Sequence, residues 1–141
     1  MIKLMHTPLV NLCLKIATEA HAGQFRNDKI TPYITHPIMV ASQFPDNEFA
    51  QATALLHDVV EDTDLKQSNL EQYHIPEEVL NAVWLLTKVK GQSYLDYLIG
   101  IKKGSDLATN VKIKDIQHNM FTVSGNLRDK YELALYILGV L

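Results

Sequence analysis

The sequence predicts an all-α fold, a single compact bundle of about seven or eight helices formed by residues 1–141. Apolar residues recur at three- and four-residue spacing along most of the chain, which is the period of an amphipathic helix. Strand signals are nearly absent, and prolines, glycines and capping residues divide the chain into segments of helical length. A chain of 141 residues is long enough for one continuous core and fits one domain.

The first two predicted helices frame a long loop. Residues 7–22 carry an apolar stripe that stops at Gly23, so a helix is predicted there. Residues 23–35 are polar and irregular, and they predict a loop of the kind that often carries function. Pro37 suits the first turn of a short second helix, which is predicted to end near Ser42.

Five later helices are predicted. Prolines followed by acids mark the starts of two of them, Ser105 is the expected cap of a third, and glycines lie near two of the ends. The first of the five is predicted to start at residue 45 and to include the run at 55–62. The other four are predicted over about 76–86, 93–102, 105–123 and 127–138. Together with the first two helices they account for the predicted bundle.

Composition and charge exclude several classes of protein. The formal net charge of −3 argues against a dedicated nucleic-acid binder, which usually carries a basic stripe. Cys13, the one cysteine, excludes an intramolecular disulfide and a cysteine-rich zinc site, and we expect it to be a small core residue. No signal peptide and no membrane-spanning stretch is apparent. We therefore expect a cytoplasmic protein without nucleic-acid or membrane partners, and homo-oligomerisation stays open.

The run at residues 55–62 sets four polar side chains into an apolar helical segment. Residues four apart share a helix face, so His57 is expected one turn from Glu61, and Asp58 one turn from Asp62. Such groups are costly to bury unless they are paired or bind a metal ion. The run therefore predicts a functional site.

Two further segments offer side chains of the same kind. His36 lies where the long loop enters a helix, and Lys112, Asp115 and Asn119 share one face of a later helix. Two histidines with two carboxylates would form a mixed nitrogen and oxygen ligand set. Such a set suits manganese, iron, zinc or cobalt and leaves positions open for water and substrate oxygens. Each of these residues alone is a weak indication, because a single histidine on a helix is usually a hydrogen-bonded structural residue.

Together and in this order, the segments resemble the HD superfamily of metal-dependent phosphohydrolases, named for its adjacent His and Asp ligands. More narrowly, the chain resembles the (p)ppGpp hydrolase domain of the RelA/SpoT stringent-response enzymes and their small single-domain relatives. The resemblance covers about residues 17–122. The segments that carry it are 20–26, 32–37, 54–63, 111–115 and 118–120.

The resemblance implies one divalent ion, expected to be Mn²⁺, and a nucleotide substrate. It implies four metal ligands: His36, His57, Asp58 and Asp115. It gives the catalytic work to Glu61 and Asp62, which agrees with their position one helical turn from two of the ligands. A metal ion lowers the pKa of a nearby water, and a carboxylate can take its proton and orient it for attack on phosphorus.

The resemblance also implies four substrate-binding residues. Arg26 in the loop would hold the guanine base, because a guanidinium group stacks on aromatic rings. Asn119 and Thr122, four and seven residues after Asp115, match positions that contact the nucleotide. Lys112 matches a recurring basic residue that would neutralise phosphate charge.

The chain departs from the family pattern in the loop at residues 26–32. This loop is one residue longer than the pattern, lacks glycine and has Asn27 where a phosphate-contacting lysine is expected. Lys29 could substitute for that lysine, or Asp28 could repel a diphosphate. Ile116 also stands where the family pattern has an arginine. These changes leave the metal-binding segments intact and bear on the substrate.

Three hypotheses follow. The first is a Mn²⁺-dependent pyrophosphohydrolase that releases pyrophosphate from (p)ppGpp. The second keeps the chemistry and changes the substrate to another nucleotide or phosphate ester, such as NADPH, because of the altered loop. The third is a non-catalytic nucleotide-binding module on the HD scaffold. The presence of Glu61 and Asp62 counts against the third, since a sensor has no evident need for them.

Overall fold

A computed structural model describes residues 2–140, and the regular structure in this range is helical apart from one isolated bridge between Phe25 and Pro32. The described helices are α1 (Pro8–Ala20), α2 (Thr35–Ser42), α3 (Glu48–Leu56), α4 (Val59–Asp62), α5 (Gln67–Leu70), α6 (Glu77–Leu86), α7 (Tyr94–Gly104), α8 (Asp106–Asn119) and α9 (Gly125–Leu138), with a 3₁₀ turn (Met120–Thr122) after α8. Helices α4 and α5 have four residues each, and the other seven have eight or more. The predicted all-α fold is confirmed. None of the described helices is both long and apolar enough to cross a membrane.

Helix starts follow the capping side chains that the sequence provides. Four of these side chains accept a backbone N–H three residues later and thereby cap α1, α3, α7 and α8: Thr7, Asn47, Ser93 and Ser105. The predicted cap at Ser105 is confirmed. Helix α8 ends at Asn119 and continues as a 3₁₀ turn, so its predicted end near Val123 is too late. Helix α5 has no counterpart in the sequence-based prediction.

Helix α3 lies at the centre of the bundle and packs against α1, α2, α6 and α8. All seven of its residues 50–56 are buried. Removing Leu55 and Leu56 from water stabilises the fold by about 1.5–3 kcal/mol for each side chain. The buried Gln51 amide accepts the Met5 N–H (2.8 Å) and donates to the Lys3 carbonyl (3.1 Å), which ties the N-terminal segment to this helix. Helix α3 is therefore the buried centre of the bundle, and the turn that carries His57 and Asp58 follows its last residue.

The sequence predicts one continuous helix through residues 55–62, and this prediction is wrong at residues 57 and 58. Helix α3 ends at Leu56, and Asp58 takes a non-helical backbone conformation (φ −128°, ψ 12°) before α4 begins. His57 Nδ1 donates to the Ala54 carbonyl at 2.6 Å, and the Asp62 N–H donates to the Asp58 carbonyl at 2.9 Å. This break buries His57 and Asp58 and leaves the acids of α4 exposed.

Cys13 lies fully buried on α1, as predicted for a core residue. Burial raises the pKa of its thiol to about 12. A thiol in this environment stays protonated at neutral pH, and thiolate chemistry depends on the deprotonated form. Cys13 therefore acts as a packing residue.

Candidate metal centre and substrate cleft

Four polar side chains from three parts of the fold meet beneath the loop at 21–34. His36 is the second residue of α2, His57 and Asp58 form the turn between α3 and α4, and Asp115 lies in α8. All four are buried, with 1–7% of each residue exposed. The fold thus brings together all four residues that the resemblance implies as metal ligands.

The distances in this centre fit a divalent ion. Asp115 Oδ1 lies 2.7 Å from His36 Nε2 and 3.3 Å from His57 Nε2. One ligand atom from each of His36, His57 and Asp58 lies within 4.8 Å of the other two. Nitrogen and oxygen ligands lie about 2.0–2.2 Å from a divalent ion, so they are separated by roughly 3–4 Å around it. Small shifts of these side chains, apart for His36 and Asp115 and closer for the wider pairs, would therefore complete a site of the imidazole and carboxylate type.

Neighbouring charges fix the ionisation of the centre. Burial alone would raise the pKa of Asp115, but Lys112 and His57 hold it well below its usual range. Burial would likewise raise the pKa of Asp58, and His57 in turn lowers it. For His57 itself, burial opposes the charged form, yet Asp58 and Asp115 raise its pKa to about 9. Two ionised carboxylates are therefore balanced by the charged Lys112 and His57, and a divalent ion would take the place of the His57 proton.

Two residues of the loop region hold Asp58, and sequence reasoning gave neither of them a role. The Tyr33 hydroxyl donates to Asp58 Oδ2. His21 Nε2 lies 3.3 Å from Asp58 Oδ1, and both atoms are buried without a hydrogen bond of good geometry. Gln24 fixes the His21 ring: its Nε2 donates to the Asp62 carbonyl, so its Oε1 accepts from His21 Nδ1 at 2.8 Å. Asp58 is therefore held through Oδ2, while Oδ1 faces the buried His21 ring.

His118 is a third residue without a predicted role, and it contacts the His36 ring. His118 Nδ1 lies 2.7 Å from His36 Nδ1. His21, Tyr33 and His118 all lie inside the segments that carry the family resemblance. That placement was the one signal that could have identified them, because helical periodicity assigns them no role.

Glu61 and Asp62 lie on α4 at the exposed edge of the centre. Glu61 Oε1 accepts the backbone N–H of Lys88 at 2.6 Å, which anchors that carboxylate to the connection between α6 and α7. Partial burial, followed by the charge of Asp58, raises the pKa of Asp62 to about 6. A carboxylate with a pKa close to the working pH is suited to general base catalysis.

Three of the four predicted substrate-binding residues share one cleft of about 230 Å³: Arg26, Asn119 and Thr122. Arg26 Nη2 donates to Asn119 Oδ1 at 3.3 Å, so the loop and the end of α8 are joined across the cleft. Its guanidinium carbon lies 5.9 Å from the centre of the Tyr33 ring. With Phe25 and Tyr131 also in its walls, the cleft offers aromatic surfaces to a planar base.

Lys112, the fourth, does not line this cleft. Its side chain is 15% exposed, and Nζ donates to Asp115 Oδ2 at 2.8 Å. Nζ also lies 5.3 Å from the centre of the Tyr97 ring. Burial lowers the pKa of Lys112, but the charge of Asp115 more than reverses this effect, so the ammonium stays charged. The structure therefore places the Lys112 charge on the Asp115 carboxylate.

The altered loop at 26–32 closes on itself. Asp28 Oδ1 accepts the Ile30 and Thr31 N–H groups at 2.8 Å each, and Oδ2 accepts the Thr31 hydroxyl at 2.5 Å. Its carboxylate thus caps a turn. Lys29 has a left-handed backbone conformation (φ +63°), which glycine adopts without strain. Lys29 therefore occupies the one position among residues 26–32 with a positive φ, where a glycine would be free of strain.

Replacing Lys29 by glycine is expected to leave the free energy of unfolding unchanged or to raise it by up to about 1 kcal/mol. The left-handed conformation costs an L-residue about 1–2 kcal/mol, and glycine avoids this cost while losing more backbone entropy. Urea unfolding followed by circular dichroism measures the change. Lys90→Gly, at an exposed position without a positive φ, is the matched control and should be destabilising. A clear loss of stability in Lys29→Gly would contradict the argument.

Comparison with known proteins gives related sequences and one similar fold. No family model matches the chain. A guanosine-3′,5′-bis(diphosphate) 3′-pyrophosphohydrolase of Haemophilus influenzae is 36% identical over 125 residues, which cover 80% of this chain and 18% of that protein. The Borreliella burgdorferi protein of the same name is 31% identical over 126 residues, covering 79% and 18%. The bifunctional (p)ppGpp synthase/hydrolase SpoT of Escherichia coli is 34% identical over 132 residues, covering 80% and 18%.

The chain therefore spans about 18% of the length of the curated relatives it matches. A solved structure of a metazoan orthologue of SpoT, which hydrolyses ppGpp and plays a role in starvation responses, matches with a TM-score of 0.77 and 26% sequence identity. The match covers 96% of this chain and 85% of that one.

Proposed function

The chain belongs to the SpoT-type family of HD-domain proteins, and we propose that it is a metal-dependent phosphohydrolase that releases pyrophosphate from (p)ppGpp. The observation that carries this proposal is the buried centre formed by four side chains from three parts of the fold: His36, His57, Asp58 and Asp115. The activity named for the curated relatives and for the metazoan orthologue supports it. The cytoplasmic location and the single domain over residues 1–141 stay predictions from the sequence.

The four buried side chains would hold one divalent ion, which we propose to be Mn²⁺. When bound, the ion would polarise phosphoryl oxygens and lower the pKa of a neighbouring water. Asp62, with its raised pKa, would take the proton of the attacking water. Glu61, anchored by the Lys88 N–H, would orient that water. The Tyr33 hydroxyl keeps Asp58 in place during these steps.

The cleft beside the centre would take the nucleoside. Arg26 would stack on the base and Asn119 and Thr122 would hydrogen-bond the nucleotide, since all three line the same cleft. Lys112 would act on the reaction through Asp115, because its ammonium group is engaged by that carboxylate. This assignment differs from the phosphate contact that the resemblance implies.

A second substrate class is favoured by one observation. A neighbouring cleft of about 460 Å³ shares Arg26, Asn27 and Thr122 with the first and is also lined by Asp28. Among the described residues that line the two clefts, Arg26 is the single side chain with a permanent positive charge. A site with one such cation suits a nucleotide or phosphate ester with fewer phosphate charges, such as NADPH.

Incubating the purified protein with ppGpp and Mn²⁺, and separating the products by anion exchange, tests the proposal. We expect GDP and pyrophosphate in equal amounts, and no turnover in an aliquot treated with chelator. GDP offered as substrate is the matched control, because it lacks the 3′-diphosphate. An absence of ppGpp turnover with Mn²⁺, Zn²⁺, Fe²⁺ and Co²⁺ overturns it. Hydrolysis of NADPH or another ester in that case would support the second class, and ppGpp binding alone would support a non-catalytic module.

A further inference from the structure

A hydrogen bond between two imidazole rings links the ligand His36 to His118. Their Nδ1 atoms are 2.7 Å apart, and the ring planes are inclined by 24°. At this distance one nitrogen carries a proton and donates it, while the other accepts. The opposite nitrogen of the His36 ring, Nε2, faces the centre and lies 2.7 Å from Asp115 Oδ1. Each nitrogen of His36 therefore has its own partner.

The two sides of the His36 ring are coupled, because a neutral imidazole carries one proton. When Nε2 donates to Asp115, Nδ1 is bare and His118 must be the donor. When Nε2 is bare and offers its lone pair to a cation, the proton sits on Nδ1 and His118 must accept.

The second histidine of the centre lacks this coupling. His57 Nδ1 donates to the Ala54 carbonyl at 2.6 Å, and a carbonyl oxygen can accept but never donate. The free position of neutral His57 is therefore always Nε2. His36 is paired instead with a ring that can take either role, so its free nitrogen depends on the tautomer of His118.

We propose that His118 is a positioning residue that sets the tautomer and orientation of His36, so that His36 Nε2 is available to a divalent ion. The inference rests on the proposed metal site. When the proton of His36 moves from Nε2 to Nδ1, the Nδ1 proton of His118 passes to His36 Nδ1. At the same time His36 Nε2 gives its proton to water, and His118 Nε2 takes one from water. Each ring keeps one proton throughout. His118 is half-buried and lines the cleft of about 460 Å³, which gives its outer nitrogen access to water.

Two substitutions separate this role from simple packing. His118→Phe keeps a ring beside Phe121 and removes the acceptor, whereas His118→Asn places an amide oxygen near the position of Nδ1. Loss of a hydrogen-bond partner behind a metal ligand weakens metal binding by about 10–100-fold. We expect a loss of this size in His118→Phe and recovery of most of it in His118→Asn. His74→Phe, at an exposed histidine, is the matched control and should bind metal as the unmodified protein does.

Competition of Co²⁺ against a chromophoric chelator measures the affinity, and the melting temperature of each metal-free variant reports folding separately. The inference is overturned when His118→Phe binds Co²⁺ as tightly as the unmodified protein, or when His118→Asn is no better than His118→Phe. An unmodified protein that binds no divalent ion would overturn the proposed metal site, and this inference with it.

Nitrogen NMR of the unmodified protein provides a measurement that does not depend on the variants. With Zn²⁺ bound, we expect the proton of His36 on Nδ1 and that of His118 on Nε2. A His118 ring that keeps its proton on Nδ1 in the Zn²⁺-bound protein would overturn the inference, even when the phenylalanine variant fails to fold.

Discussion

Replacing Asp58 by asparagine is expected to abolish tight binding of a divalent ion and to lower ppGpp turnover at least about a thousandfold, equivalent to about 4 kcal/mol of transition-state stabilisation. Asp58 Oδ2 accepts the Tyr33 hydroxyl and lies 3.6 Å from His57 Nε2, while Oδ1 faces His21. The amide of asparagine turns one of these two acceptors into a donor and removes the negative charge that attracts the ion. Isothermal titration with Mn²⁺ and the product assay with ppGpp measure the two effects.

Asp64→Asn is the matched control, because it makes the same chemical change at an exposed acid two residues after the end of α4. It should keep both metal affinity and turnover. An Asp58→Asn variant that binds Mn²⁺ normally would show that the ion is held without Asp58. Normal binding combined with lost turnover would assign Asp58 to the chemistry instead, and would contradict the predicted loss of affinity.

The meeting of His36, His57, Asp58 and Asp115 could be predicted because each of them lies in a segment with its own sequence signal. His36 follows the long loop, His57 and Asp58 interrupt an apolar run, and Asp115 lies on a helix face. The segment order then resembles one family closely enough to imply their convergence. The contact between His36 and Asp115 joins residues 79 positions apart, and periodicity within a single helix carries no information on such a distance.

The break between α3 and α4 could not be predicted in the same way. The apolar pattern at 55–62 fits an uninterrupted helix, and neither His57 nor Asp58 breaks a helix as proline does. The break is instead stabilised by contacts from outside the run, including the Tyr33 hydroxyl on Asp58 and the Asp115 carboxylate beside His57. Tertiary contacts of this kind override local propensity, and a local pattern does not contain them.

The partners of the ligands escaped prediction for a related reason. His118 and His36 are 82 positions apart, and Tyr33 is 25 positions from Asp58. Lys112 is different, because it precedes Asp115 by three residues on one helix, a spacing at which opposite charges pair. That spacing alone predicts the observed ion pair, whereas the resemblance to the family directed Lys112 to a phosphate.

Replacing Lys112 by methionine is expected to lower the free energy of unfolding of the metal-free protein by about 3 kcal/mol, because removing one partner strands the other charge in a buried site. The Lys112 side chain is 15% exposed and that of Asp115 is 6% exposed, so water cannot replace the lost ammonium. Methionine keeps most of the aliphatic stem and its packing. Urea unfolding with and without Mn²⁺ measures the change. The loss should shrink in saturating Mn²⁺, since an ion that binds the folded state stabilises it and supplies the missing positive charge.

Lys114→Met makes the same chemical change two residues along α8, at a half-buried position, and is the matched control with an expected effect below about 1 kcal/mol. The double variant Lys112→Met with Asp115→Asn should recover part of the stability lost by Lys112→Met, because it removes the stranded charge as well. A destabilisation of Lys112→Met that is equally large with and without Mn²⁺ would contradict the assignment of Lys112 to a metal ligand. The lysine would then support the fold alone, and the charge balance of the centre would depend on His57.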